Sequence, residues 1–201
     1  MTNLLEKVVL ADKWRPLCDA WSQAFGKFPN VEIIEGDFFL QDADAMVSPA
    51  NSFGIMDGGL DLAIRDTLGS TIQNDVQRII LERHHGEIPV GAAEIVTTGH
   101  SRWPHLVIAP TMRVPESVAH TVNAYLAFRA VLLAVLHYNE RNERAPIRSL
   151  LVPGLGTGIG AMDARRCAAQ MRMAFDQVSK PARIPSYSLI HEFHLKLRTA
   201  S

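Results

Sequence analysis

The sequence predicts an α/β protein with helices on both faces of a central sheet. Three observations carry this. Short apolar runs of strand length alternate with longer runs of helical period. Two glycine-rich segments each fall between a strand-like run and a helical one, where open α/β sheets bind ligands. No repeat, low-complexity tract or Pro/Ser/Gly-rich linker divides the 201 residues, a length that favours one domain.

Val8-Val9-Leu10 and the helix-like stretch from Leu17 to Phe25 read as an added strand and helix, so residues 1–30 are taken as an extension of a core at about 31–178. Val31-Glu32-Ile33-Ile34 and Ala45-Met46-Val47 are the next strand candidates. Leu60, Ile64 and Leu68 recur every four residues and predict a helix after Gly59. His84-His85 before Gly86 marks an exposed helix end, where cationic His is favoured. Glu94-Ile95-Val96 and Leu106-Val107-Ile108 follow as strands. Val118, Val122, Tyr125, Leu132 and Leu136 predict a long helix starting near a Ser117 cap. Ser149-Leu150-Leu151-Val152 is a further strand, and Ala164, Ala168, Met171 and Phe175 mark another helix. Tyr187-Ser188-Leu189-Ile190 is read as a last strand. On a strand, His191 and His194 face opposite sides and make a poor metal pair.

With 20 Lys+Arg against 21 Asp+Glu, the net charge of −1 shows no basic excess for long nucleic acids or a membrane surface. A hydrophobic fraction of 47% excludes a disordered chain. Cys18 and Cys167 form no CxxC pair; two thiols in this length point to a reducing compartment, with a single disulfide as the alternative. The N-terminus has no basic n-region or apolar h-region, and the most apolar stretch, Ala130 to Leu136, is too short to span a bilayer. A cytoplasmic protein is therefore expected. No HExxH motif or Cys cluster predicts a metal. No pattern assigns an oligomeric state.

The first glycine-rich segment runs Ser48-Pro49-Ala50-Asn51-Ser52-Phe53-Gly54-Ile55-Met56-Asp57-Gly58-Gly59-Leu60-Asp61, and the second Pro153-Gly154-Leu155-Gly156-Thr157-Gly158-Ile159-Gly160-Ala161. Glycines at strand-to-helix turns let consecutive N–H groups point at one anion, with the helix N-terminus adding partial positive charge. The same glycines also serve plain tight turns. None of the five lysines falls in either loop, as a backbone-based anion cradle allows. No GK[ST] follows, which excludes a P-loop NTPase. Gly156-Thr157-Gly158-Ile159-Gly160-Ala161 fits GxGxxA, but the acidic residue expected about 20 positions on is missing, and Asp176 falls in a helical pattern instead.

Gly36-Asp37-Phe38, Asp44-Ala45-Met46-Val47-Ser48-Pro49-Ala50-Asn51 and Gly58-Gly59-Leu60-Asp61 together resemble the macrodomain pattern GD[IF]…DA[IV]VNAAN…GGGVD. The later Val152 to Gly160 segment resembles the family's second loop, and Pro89-Val90-Gly91-Ala92-Ala93 its PTGEA turn. The resemblance spans about residues 31 to 178. It implies a three-layer α/β/α domain with a central mixed sheet that binds ADP-ribose, or an ADP-ribosylated protein, with no cofactor. It further implies that Asp37, with Phe38 beside it, takes the adenine amine. Gly156, Thr157, Gly158, Ile159 and Gly160 would wrap the diphosphate. Gly58 and Gly59 would approach the distal ribose, where Asn51, next to Ala50, bonds the hydroxyls. Asp61, in a first helical turn whose dipole favours its ionised form, would orient or deprotonate a water at C1″. Hydrolysis of mono-ADP-ribosyl esters, O-acetyl-ADP-ribose or ADP-ribose 1″-phosphate is the activity so implied.

The sequence departs from that pattern at specific places. Ser48 stands for the first Asn of NAAN, Asp57 for a glycine, and Gly160 for a ring-stacking aromatic of many hydrolases. Asp57 is then an added negative charge near the diphosphate or a cap for the following helix. Arg65 stands where a covalent lysine would be needed. The alternative reading is a non-catalytic reader of ADP-ribose or a related nucleotide. Asp37 as a plain turn cap and Asp61 as an ordinary first-turn acid are the corresponding alternatives for single residues.

Overall fold

The computed structural model describes residues 5–199; residues 1–4, used above to argue against a signal peptide, lie outside them. The strands are β1 (Lys7–Asp12), β2 (Val31–Glu35), β3 (Ala45–Ser48), β4 (Glu94–Thr97), β5 (His105–Ile108) and β6 (Ser149–Val152). The helices are α1 (Arg15–Phe25), α2 (Gly59–Leu68), α3 (Ile72–His84), α4 (Asn123–Arg141), α5 (Ala164–Val178) and α6 (Tyr187–Thr199). The six strands form one sheet in the order β2-β1-β6-β3-β5-β4, parallel except for the antiparallel edge strand β4.

Parallel strands are covered on both faces, so near-continuous apolar runs are what they require. Side chains alternate accordingly. Val8, Leu10, Ala45, Val47, Leu150 and Val152 pack with α1, α4 and α5, whereas Val9, Ala11, Met46, Leu106, Ile108 and Leu151 pack with α2, α3 and Phe38. This is the expected three-layer α/β/α architecture with a mixed sheet. Helix α5 shows the local logic: Asp163 caps it by accepting from the N–H groups of Arg165 and Arg166 at 2.9 and 3.2 Å. Its apolar positions Cys167, Ala168, Met171, Ala174 and Phe175 then face the core.

The strand read as part of an N-terminal addition lies inside the sheet. β1 pairs in parallel with both β2 and β6, with Val8 opposite Val31 and Leu150. Phe25 of α1 meets Phe175 of α5 edge-on at 5.9 Å, and the Trp21 indole donates to Met171 Sδ at 3.4 Å. Two further expectations are corrected. The long helix starts at Asn123 rather than near Ser117, because the buried Val118 and its N–H are engaged by Gly160 O at 2.8 Å. The segment from Tyr187 to Ile190 opens helix α6 and is not a strand; its anchors Phe193 and Leu197 follow Leu189 at four-residue spacing, which a four-residue alternation hides. No helix among the described residues is long and apolar enough to cross a membrane.

Candidate functional site

The carboxyl ends of β1, β6, β3 and β5 open onto one cavity of about 590 Å³. Both glycine-rich segments line it. Ala50, Asn51, Gly58, Gly59 and Asp61 come from the first, and Gly156, Thr157, Gly158, Ile159 and Gly160 from the second. A volume of this order suits a ligand of nucleotide size.

The second loop is folded by its own backbone. The N–H groups of Ala161, Met162 and Val118 donate to the carbonyls of Gly158, Gly156 and Gly160 at 2.9, 3.0 and 2.8 Å. None of the five N–H groups of Gly156, Thr157, Gly158, Ile159 and Gly160 donates to another group among the described residues. A run of free amides is the arrangement that holds an anion without any lysine. A Cβ at Gly160 would lie 2.5 Å from Gly156 O and 2.6 Å from Val118 Cγ2. The packing of this loop therefore excludes any side chain at this position.

In the first loop Gly59 opens α2 with φ +57°, and a Cβ there would meet nothing within 4 Å. The glycine serves backbone conformation and leaves the space beside it open. Asp57 does not cap α2. Gly58 is the N-cap, and Asp57 pairs with the Arg65 guanidinium at 2.7 Å, which offsets its charge at the cavity edge.

Asp61, in the first turn of α2, is half-buried and accepts a hydrogen bond from Ser48 Oγ at 2.5 Å. Its carboxyl is pushed up from 3.8 to about 6, chiefly by burial, with the Ser48 bond opposing. The helix dipole favours the ionised form, as expected, but at Asp61 loss of water outweighs it. Asp61 remains mainly ionised at neutral pH and close to the pKa of an effective general base.

The raised pKa also carries a stability consequence. Because the folded value lies above the unfolded one, the stability tied to protonation is fully present below the unfolded value and is lost as the pH rises through about 6. Asp61→Asn keeps the shape and removes the buried charge. It is expected to raise the unfolding free energy at pH 8 by about 1–3 kcal/mol and to change it little at pH 4, as urea denaturation at the two pH values measures.

Asn51 spends most of its amide on the loop. Oδ1 accepts from Phe53 and Ile55 N–H at 3.0 and 3.3 Å, and Nδ2 donates to Ile55 O at 2.7 Å. One amide N–H remains for a ligand. Asp37 and Phe38 are not brought to the cavity wall. Phe38 is buried in the layer beneath α2 and α3. Asp37 accepts from Phe39 N–H at 2.9 Å and pairs with Lys13 at 2.7 Å, which holds its carboxyl below the usual range. Residues outside the sequence-based set also line the cavity: Asp12 at the end of β1, Trp14 just after it, and Thr111 and Met112 after β5. Asp12 anchors the second loop by accepting from Gly154 N–H at 3.3 Å, while the Trp14 side of the cavity offers an exposed indole.

Among the described residues no group of three or more His, Cys, Asp or Glu is placed to hold a metal ion. Cys18 and Cys167 are buried free thiols, and burial pushes Cys167 to about 12.

The sequence model of the Macro domain family matches residues 47–171. The chain is 34% identical over 140 residues to an uncharacterized protein of Aeropyrum pernix, covering 69% of this chain and 67% of that one. It is 30% identical over 142 residues to an uncharacterized protein of Aquifex aeolicus, covering 71% and 78%. Its fold is similar to that of Thermosipho africanus DarTG in complex with ADP-ribose, with a TM-score of 0.57, 15% identity, and coverage of 95% of this chain and 56% of that chain. With the fold, the paired glycine loops and these matches together, the chain belongs to the Macro domain family.

Proposed function

We propose that the cavity binds ADP-ribose and that the protein hydrolyses mono-ADP-ribosyl esters on acidic side chains, or a related derivative such as O-acetyl-ADP-ribose or ADP-ribose 1″-phosphate. The observation that carries this is one cavity lined by both the residues with free amides, 156–160, and the half-buried Asp61. The amides take the diphosphate, and Gly58 and Gly59 let the distal ribose approach. Asp61 accepts a proton from a water whose oxygen attacks C1″ while the ester carboxylate leaves. The structure of Thermosipho africanus DarTG in complex with ADP-ribose supports the choice of ligand. The test is release of ADP-ribose from a protein carrying it on glutamate, from O-acetyl-ADP-ribose and from ADP-ribose 1″-phosphate: wild type turns over at least one of them, and no turnover of any at pH 5 to 9 refutes the hydrolase.

Trp14 offers a flat ring for the adenine. Asp37 lies next in chain to Gly36, whose N–H donates to Asp12 O at 2.9 Å, and it is the acceptor for the exocyclic amine once its exposed pair with Lys13 opens. Trp14→Ala is expected to weaken ADP-ribose binding about tenfold by calorimetry, the scale of one lost base–aromatic stack.

A reader without turnover is the second reading, favoured by the packing that bars any ring-positioning side chain at Gly160. It prevails if ADP-ribose binds and no ADP-ribosylated substrate turns over.

A further inference from the structure

We infer that Ser48 is the positioning residue for Asp61: its buried hydroxyl pins Oδ1 from the sheet and leaves Oδ2 as the oxygen free to hold a water. This rests on the reading of Asp61 as the water-orienting carboxylate. Ser48 ends β3, a strand flanked by β6 and β5. Its residue is 0% exposed, and its carbonyl is fixed by Ala109 N–H at 3.1 Å. Ser48 lies behind the cavity wall, not on it. A fully buried hydroxyl cannot reach a substrate, which rules out a nucleophilic role and leaves an indirect one.

Asp61 is the third residue of α2, after the N-cap Gly58. An acid at that position ordinarily turns back to the N-cap backbone amide. Asp61 makes a different contact, the 2.5 Å bond across to β3, within the range of a hydroxyl on a carboxylate. The helix that carries Asp61 starts on two exposed glycines, so its own backbone fixes the side chain weakly. A bond to the sheet supplies the missing reference.

The surrounding charges do not compete for this role. Asp57 and Arg65 pair with each other, with Asp66 at 3.7 Å from Arg65. On α3, Arg78 pairs with Asp75 and Glu82, while Arg83 and His84 both meet Glu94. β3 carries no ionisable side chain, and His105 of β5 is held at the far end of the sheet by Tyr138 and the Asp44 carbonyl. Asp12 stands across the cavity with Trp14 and Gly154.

The experiment compares wild type with Ser48→Ala and Ser48→Thr by NMR titration of the Asp61 carboxyl in the free protein and by the pH dependence of kcat and KM. Ser48→Ala is expected to move the Asp61 midpoint up by about one unit and to lower kcat about tenfold with KM within about twofold. Ser48→Thr, which restores the hydroxyl, returns both toward wild type. Should Ser48→Ala not fold, Ser48→Cys, of similar shape and a far weaker donor, is expected to shift the midpoint in the same direction. A wild-type midpoint and kcat in the Ala or Cys variant overturn the proposal. A shifted midpoint in a protein whose wild type shows no turnover supports the hold of Ser48 on Asp61 and refutes the hydrolase reading alone.

Discussion

Asp61→Ala is expected to bind ADP-ribose within a few-fold of wild type and to release ADP-ribose from modified protein about 10²–10⁴-fold more slowly. The separation follows from where the groups sit. The amides of residues 156–160 belong to the loop after β6, whereas Asp61 reaches the cavity from α2 and is tied to β3. Removing the carboxylate leaves the diphosphate cradle intact and takes away the proton acceptor. Because burial pushes Asp61 to about 6, the wild-type rate should fall on the acid side with an inflection near pH 6, not near the ordinary carboxylate value of 3.8. The residual rate of the Asp61→Ala variant should lack that inflection. Equal turnover in the two proteins removes Asp61 from the mechanism.

The second large effect is expected at Gly160. Gly160→Val puts a Cβ where Gly156 O and Val118 Cγ2 already stand, 2.5 and 2.6 Å away, and the first of these is backbone. The loop must open, and the placement of its five free amides at the cavity is then lost. ADP-ribose affinity is expected to drop at least about 100-fold, the scale of losing two or more charge-assisted hydrogen bonds. The overpacked variant should also unfold more easily, by about 1–3 kcal/mol. Unaltered binding in Gly160→Val would mean that the amides of this loop do not hold the ligand.

Much of this was legible in the chain, and the exceptions share a cause. The strands β3, β5 and β6 are uninterrupted apolar runs, and the glycine loops follow β3 and β6 directly, so local pattern is enough for them. Asp61 was legible through the resemblance of Gly58-Gly59-Leu60-Asp61 to the macrodomain pattern and through its place in a first helical turn. Its raised pKa was not, because that depends on how deeply the folded chain buries the carboxyl, an effect the Ser48 bond opposes, rather than on the helix that carries it. Trp14 and Asp12 reach the cavity only because β1 threads between β2 and β6, and no local period encodes which neighbours a strand takes. The same holds for Asp57: a cap by local pattern, it turns to Arg65 two helical turns on. Helix α6 was hidden because four residues of alternation are too few to separate a strand from a helix anchored at Phe193 and Leu197. The start of α4 is not legible locally because Val118, which fits its apolar period, is held under the second loop by Gly160.

Isothermal calorimetry of the wild-type protein with ADP-ribose tests the central claim most directly, because every role assigned above presupposes that ligand in this cavity. The expected result is saturable heat at one molecule per chain, weakened in Trp14→Ala and lost in Gly160→Val. Absence of heat with folded wild-type protein, or heat unaffected by Gly160→Val, would contradict it.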